Sequence, residues 1–163
     1  MPIMFKYQSI DGESKVTGYE KYMEVNSFDF GLGRRITAGT QSTREGGTVS
    51  LSEVVLRKKT DNTTVKFFQE ACSGMMNKKA EIAFVRTGGT KNEYYLKFEL
   101  EDTTIAGLNF KATGGQDSRP EETLHLNFNK CTIHYNPVGN DFTGSPSNAY
   151  WNIGESKGTG PVT

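Results

Sequence analysis

The chain has 163 residues, about the length of one ordinary domain, and balances 19 basic against 19 acidic side chains. That balance leaves no global field to recruit nucleic acid or an anionic membrane. No window approaches the roughly 18 apolar residues of a membrane helix, so no membrane insertion is expected.

The amino-terminal stretch MPIMFKYQSIDGES lacks a basic start, a long apolar core and a small-residue cleavage site. It does not read as a secretory signal peptide, which implies synthesis in the cytoplasm and export by a route that needs no cleavable leader. Met23 and Val25 are apolar at odd positions, Phe28, Phe30 and Leu32 at even ones. The slip of one residue predicts a β-bulge near Asn26-Ser27. By the same alternation Ser27, Asp29 and Gly31 face away from the core. Ile36 to Gly47 (ITAGTQSTREGG) is polar and glycine-containing and is expected to be a long loop at a strand end. The run Arg57-Lys58-Lys59 reads as a solvated strand end.

One segment has helical spacing. Val65, Phe68, Cys72 and Met75 recur at intervals of three and four, Thr63 or Thr64 can cap, and Gly74 suggests a left-handed stop. Those four side chains are expected to face the core. Gly88-Gly89 marks a hairpin. Beyond it Tyr94, Leu96, Phe98 and Leu100 share one strand face, while Tyr95, Lys97, Glu99 and Glu101 take the other. A second loop is expected from Gly114 to Glu121. Leu124, Leu126 and Phe128 then alternate in one phase and Cys131, Ile133 and Tyr135 in the other, predicting a bulge near Asn129-Lys130. Pro137 to Asn148 reads as a third loop. Residues 1–153 form one predicted domain, and the patternless residues 154–163 a flexible tail. The predicted class is mainly β: a small antiparallel β-barrel of two curved sheets with one flanking α-helix.

Chemistry-bearing patterns are sparse. Cys72 and Cys131 are too few for a disulfide framework and are expected as buried free thiols. His125 and His134 alternate with apolar residues, as exposed polar positions do, with no metal-ligand spacing. No serine lies in a G-x-S-x-G turn, and no glycine pair has phosphate-loop spacing. Catalytic, cofactor-binding and metal residues are therefore expected to be none, and an enzyme is not expected. The open alternatives are a monomeric β-barrel module binding a small ligand or glycan, and a hydrolase whose residues meet only in the fold.

Several segments in order resemble the haemolysin-coregulated protein (Hcp) family of type VI secretion tube subunits. They are Gly12-Glu13-Ser14, MEVNSFDFGLG (Met23 to Gly33), ACSG (Ala71 to Gly74), GGQDSRPEETLHLNF (Gly114 to Phe128) and YWNI (Tyr150 to Ile153). The resemblance spans about residues 3 to 153. It implies a homo-hexamer whose rings stack into a hollow tube inside a contractile sheath on a baseplate, with a spike protein at the tip. It also implies ejection into the extracellular space or a target cell, with small effector proteins in the lumen. With ten residues after YWNI, no fused toxin domain is expected. Ser27, Asp29 and Gly31 become lumen-facing, and Thr40, Gln41, Ser42, Arg44 and Glu45 a ring-stacking loop. Relatives commonly place a small polar residue between the two strand aromatics, where Asp29 stands here.

Overall fold

The computed structural model describes residues 1–37, 45–115 and 118–162. The strands are β1 (Ile3–Tyr7), β2 (Met23–Val25), β3 (Ser27–Asp29), β4 (Leu32–Thr37), β5 (Glu45–Leu51) and β6 (Val54–Lys59), followed by helix α1 (Thr64–Ser73). After the helix come β7 (Lys78–Arg86), β8 (Glu93–Lys111), β9 (Glu121–Asn127), β10 (Lys130–Tyr135), β11 (Ser147–Asn152) and β12 (Lys157–Gly158). The class is the expected one, mainly antiparallel β with one helix among the described residues.

One path of neighbours runs β12-β11-β10-β8-β7-β1-β2, and a second runs β3-β6-β9-β8. Strand β8 belongs to both. Its first half pairs with β7 and β10, and from Thr104 onward it pairs with β9. Asp102, at a φ of 51°, lies at that crossing. The core fills the space between the two paths. Phe5, Leu56, Phe67, Ile82, Leu100 and Leu126 are all but inaccessible there, and the Phe28 and Phe98 rings meet at 5.0 Å. A smaller cluster, Met4, Tyr19, Ala83 and Val85, lies under the segment of residues 8–22.

Gly12 explains part of the first motif. A Cβ there would stand 2.3 Å from the Tyr22 carbonyl oxygen, so only glycine lets the two chain segments touch. Its N–H donates to Lys21 O at 2.7 Å, and Glu13 accepts from the Asn62 N–H at 3.2 Å. The motif thus ties the amino-terminal segment to the turn before α1.

Both predicted bulges mark changes of partner instead. At Asn26 the chain leaves β2, which pairs with β1, and enters β3, which pairs with β6. Between Asn127 and Lys130 it leaves β9 and enters β10, on the other half of β8. A strand that changes sheets shows the same one-residue phase slip as a bulge. True register shifts fall elsewhere, at Phe84/Val85 and Ile105/Gly107 among others. The first turns Tyr94 away from Leu96 and Phe98 and into the smaller cluster, where Lys97 lies 4.5 Å from its ring.

Other expectations change too. Leu32 lies on β4 and is 66% exposed, and Ile133 is 39% exposed. The expected loop from Ile36 is shorter, because β4 runs to Thr37 and β5 starts at Glu45. The third loop packs back, with Val138 buried and Phe142 stacked on Tyr95 at 4.8 Å. Beyond Ile153, Lys157–Gly158 pairs with Trp151 and Asn152.

Helix α1 is rotated relative to its predicted face. Phe67 is buried against Phe5 and Tyr7, whereas Val65, Phe68, Cys72 and Met75 face outward. Thr63 holds the N-cap position but makes no side-chain cap bond. Its hydroxyl and N–H both donate to the Asp61 carboxylate. Gly74 is extended at φ −70°, not left-handed.

Candidate assembly surfaces

Three surfaces and one buried ion cluster stand out among the described residues. The first surface is the outward face of β3, β6 and β9. Strand register sets Asp29 beside Val55 and Val55 beside His125, and sets Ser27 beside Arg57 and Arg57 beside Thr123. Asp29 is exposed, with its carboxylate 3.4 Å from Arg57 Nη1. Gly31 accepts from Ser52 N–H at 2.8 Å, and its own N–H donates to Ser52 Oγ at 2.9 Å. Asp29, Phe30, Gly31, Ser52, Glu53 and Val55 border a shallow groove of about 480 Å³. Asp29 and Gly31 therefore share one open surface. Ser27 is on the same face, but its Oγ is buried with no hydrogen-bond partner among the described residues.

His125 was expected as an exposed strand position, and the structure gives it specific neighbours. Nδ1 lies 3.3 Å from Glu53 Oε2 and Nε2 3.4 Å from Asn109 Nδ2. Its ring lies over Gly107, where a Cβ would come within 3.1 Å of Cδ2, beside the register shift in β8. His134 lies 3.3 Å from Glu99 on the other sheet path. Neither contact had a sequence signal, since each joins residues distant along the chain. Among the described residues, no three His, Cys, Asp or Glu side chains converge as metal ligands.

The second surface is the β4–β5 ribbon. Among the described residues, its strands pair only with each other. Of the expected stacking residues, Thr40, Gln41, Ser42 and Arg44 lie outside the described residues, and Glu45 begins β5. The third surface is the outward stripe of α1, Val65, Phe68 and Cys72; Met75 and Met76, beyond the helix, are also exposed.

Beneath α1 lies a cluster that the sequence misassigned. Lys58, expected in solvent, is fully buried, because even positions of β6 face the core. Its ammonium contacts the Glu122 carboxylate from the adjacent strand and lies 3.0 Å from Asp61 Oδ1. Burial pushes the Asp61 carboxyl up, but hydrogen bonds from the Thr63 hydroxyl and N–H and from Lys58 outweigh it. They hold the group below the usual carboxylate range. The pairing satisfies charges that would otherwise be very costly inside the core. Of the two thiols, Cys131 is buried as expected, with burial pushing its pKa to about 11, and Cys72 is exposed.

Comparison with known proteins assigns the family. The family described as type VI secretion system effector, Hcp, matches residues 4–135. The fold agrees with solved structures. A type six secretion system protein superposes with a TM-score of 0.87 at 24% identity, covering 97% of this chain and 99% of the other. Hcp1 from Salmonella typhimurium gives 0.76 at 21% identity, covering 97% and 98%. A type VI secretion system effector from Yersinia pestis gives 0.71 at 14% identity, covering 93% and 99%. No curated protein sequence matches the chain. The chain belongs to the Hcp family of type VI secretion, whose members are secreted tube subunits.

Proposed function

We propose that the protomer, a small β-barrel, closes into a hexameric ring and that the rings stack into the hollow tube ejected by the secretion machine. The single observation that carries this reading is the family match over residues 4–135. The spike at the tip, the surrounding sheath and baseplate, and a signal-free route from the cytoplasm belong to the same reading, as does the absence of catalysis. A ring of identical chains needs two different patches meeting head to tail, and the outward surfaces are suited to supply them. Native mass measurement tests it. A single species at six times the 18.1 kDa protomer is expected, and a clean monomer would favour a ligand- or glycan-binding module instead.

Within the ring, the face carrying Ser27, Asp29 and Gly31 lines the lumen. Symmetry then repeats the Asp29 carboxylate around the channel, where it holds small effector proteins by basic side chains. Thr40, Gln41, Ser42, Arg44 and Glu45 contact the next ring. Exposed ion pairs there contribute only about 0.2–1 kcal/mol each, but symmetric copies act together. Replacing Arg44 and Glu45 with Ala is expected to spare ring mass and impair tube assembly and secretion.

A further inference from the structure

Lys58 is a primary amine sealed in the core between two carboxylates. Its side chain is 1% exposed, and that of Glu122 is fully buried. The two residues are direct partners in the antiparallel register of β6 and β9, so the strands themselves hold amine and carboxyl group together. The Phe67 ring covers the ammonium at 5.7 Å. Leu56 and Leu124, the next inward-facing pair along the two strands, are inaccessible to solvent.

The two carboxylates differ. Asp61 Oδ1, 3.0 Å from Nζ, also accepts from the Thr63 hydroxyl and N–H. Glu122 touches Lys58, yet neither of its oxygens accepts a hydrogen bond among the described residues. Nζ also lies 3.4 Å from the Lys59 carbonyl oxygen. Glu122 is therefore the carboxyl group left open to attack, and Asp61 the one fixed in place to receive a proton. Asp61 also borders an open cleft of about 490 Å³ with Glu13, Lys59 and Arg119, which gives a released water a way out.

We infer that Lys58 Nζ and Glu122 Cδ condense into an intramolecular isopeptide bond, a covalent link between β6 and β9 that forms once, after folding. The folded chain starts as the ion pair. One proton passes from the ammonium to the Glu122 carboxylate, leaving an amine and a carboxylic acid. The nitrogen lone pair then attacks Cδ. Asp61 takes a second proton from the nitrogen and returns it to the departing hydroxyl, which leaves as water. One C–N bond forms, one C–O bond breaks, and Asp61 ends as the carboxylate it was. Two effects favour the step here over free solution. The strands hold the reacting groups in contact, which replaces a bimolecular encounter. The product is a neutral amide where two buried charges stood, and surroundings shielded from water penalise charges far more than amides. The bond is a single event inside the protomer, not a turnover, and it is independent of ring and tube.

Intact mass of the denatured full-length chain reads the bond directly. After prolonged incubation of the folded protein, the expected species is lighter than the sequence by one water. Its tryptic map is expected to contain a branched peptide joining Lys58 to Glu122. Asp11-Gly12 can also lose water, as a succinimide, so the peptide map assigns the loss. An unchanged mass overturns the inference, as does a water lost only at Asp11 or a link from Lys58 to Asp61. These readings use the native chain and need no variant to fold. Asp61→Ala leaves both reacting groups in place and is expected to slow the mass change about 100-fold or more. Condensation of that variant at the native rate overturns the role of Asp61 as proton carrier.

Discussion

The Lys58 ammonium and the Glu122 carboxylate face each other across β6 and β9, both fully buried. Lys58 has a second carboxylate in Asp61, whereas Lys58 is the cation that meets Glu122. Glu122→Gln leaves the buried cation only the partly exposed Asp61 as counter-charge and is expected to cost up to about 3–5 kcal/mol in urea unfolding. The double variant Lys58→Met with Glu122→Leu is expected to recover most of that loss. If the double variant is no more stable than Glu122→Gln, the penalty does not come from the orphaned charge.

Asp61 gives the cluster a pH dependence of definite sign. Its folded pKa lies below the ordinary value, so its contribution is fully present above the unfolded pKa of about 3.9. The contribution is lost as pH falls through the lower, folded value. Between about pH 5 and pH 2.5 the native chain is expected to lose more stability than Asp61→Asn does. Parallel losses in the two proteins would remove Asp61 from the account.

Phe98 packs against Phe28, Phe30 and Phe84, and Phe128 against Phe30. Phe98→Ala and Phe128→Ala are each expected to cost about 3–5 kcal/mol. Ile133→Ala, at a position 39% exposed in the protomer, is expected to cost well under either. A change within about 0.5 kcal/mol of the parent for either phenylalanine variant would refute the core assignment.

Thiol accessibility separates the cysteines. At about pH 8 a disulfide reagent is expected to titrate Cys72 rapidly in the folded chain and Cys131 only after denaturation, since burial disfavours its thiolate. Rapid reaction of both thiols in the native chain would contradict the packing of β10 against β8.

Asp29→Arg reverses the charge beside Arg57 on the proposed lumen face. It is expected to abolish co-purification of an effector bound through basic residues while native mass still reports the hexamer. Unchanged co-purification with an intact ring would reject Asp29 as the holding group.

The period-two pattern by itself determined the class, the buried face of β9 around Leu124 and Leu126, and the outward position of Asp29. Alternation is a local consequence of strand geometry and needs no knowledge of neighbours. The ordered motifs determined the family. Only the tertiary structure decided what each phase slip meant, because Asn26 and Asn129 lie where the chain exchanges one partner strand for another, and pairing is non-local. It also decided which side of α1 is inside. Two apolar stripes, one holding Phe67 and Ala71 and the other Val65, Phe68 and Cys72, compete at helical spacing. Contact with Phe5 and Tyr7 selects the first. Lys58 was hidden for the same reason. A lysine in a basic run reads as solvated until the strand across from it presents a carboxylate, and Glu122 arrives from 64 residues further along the chain.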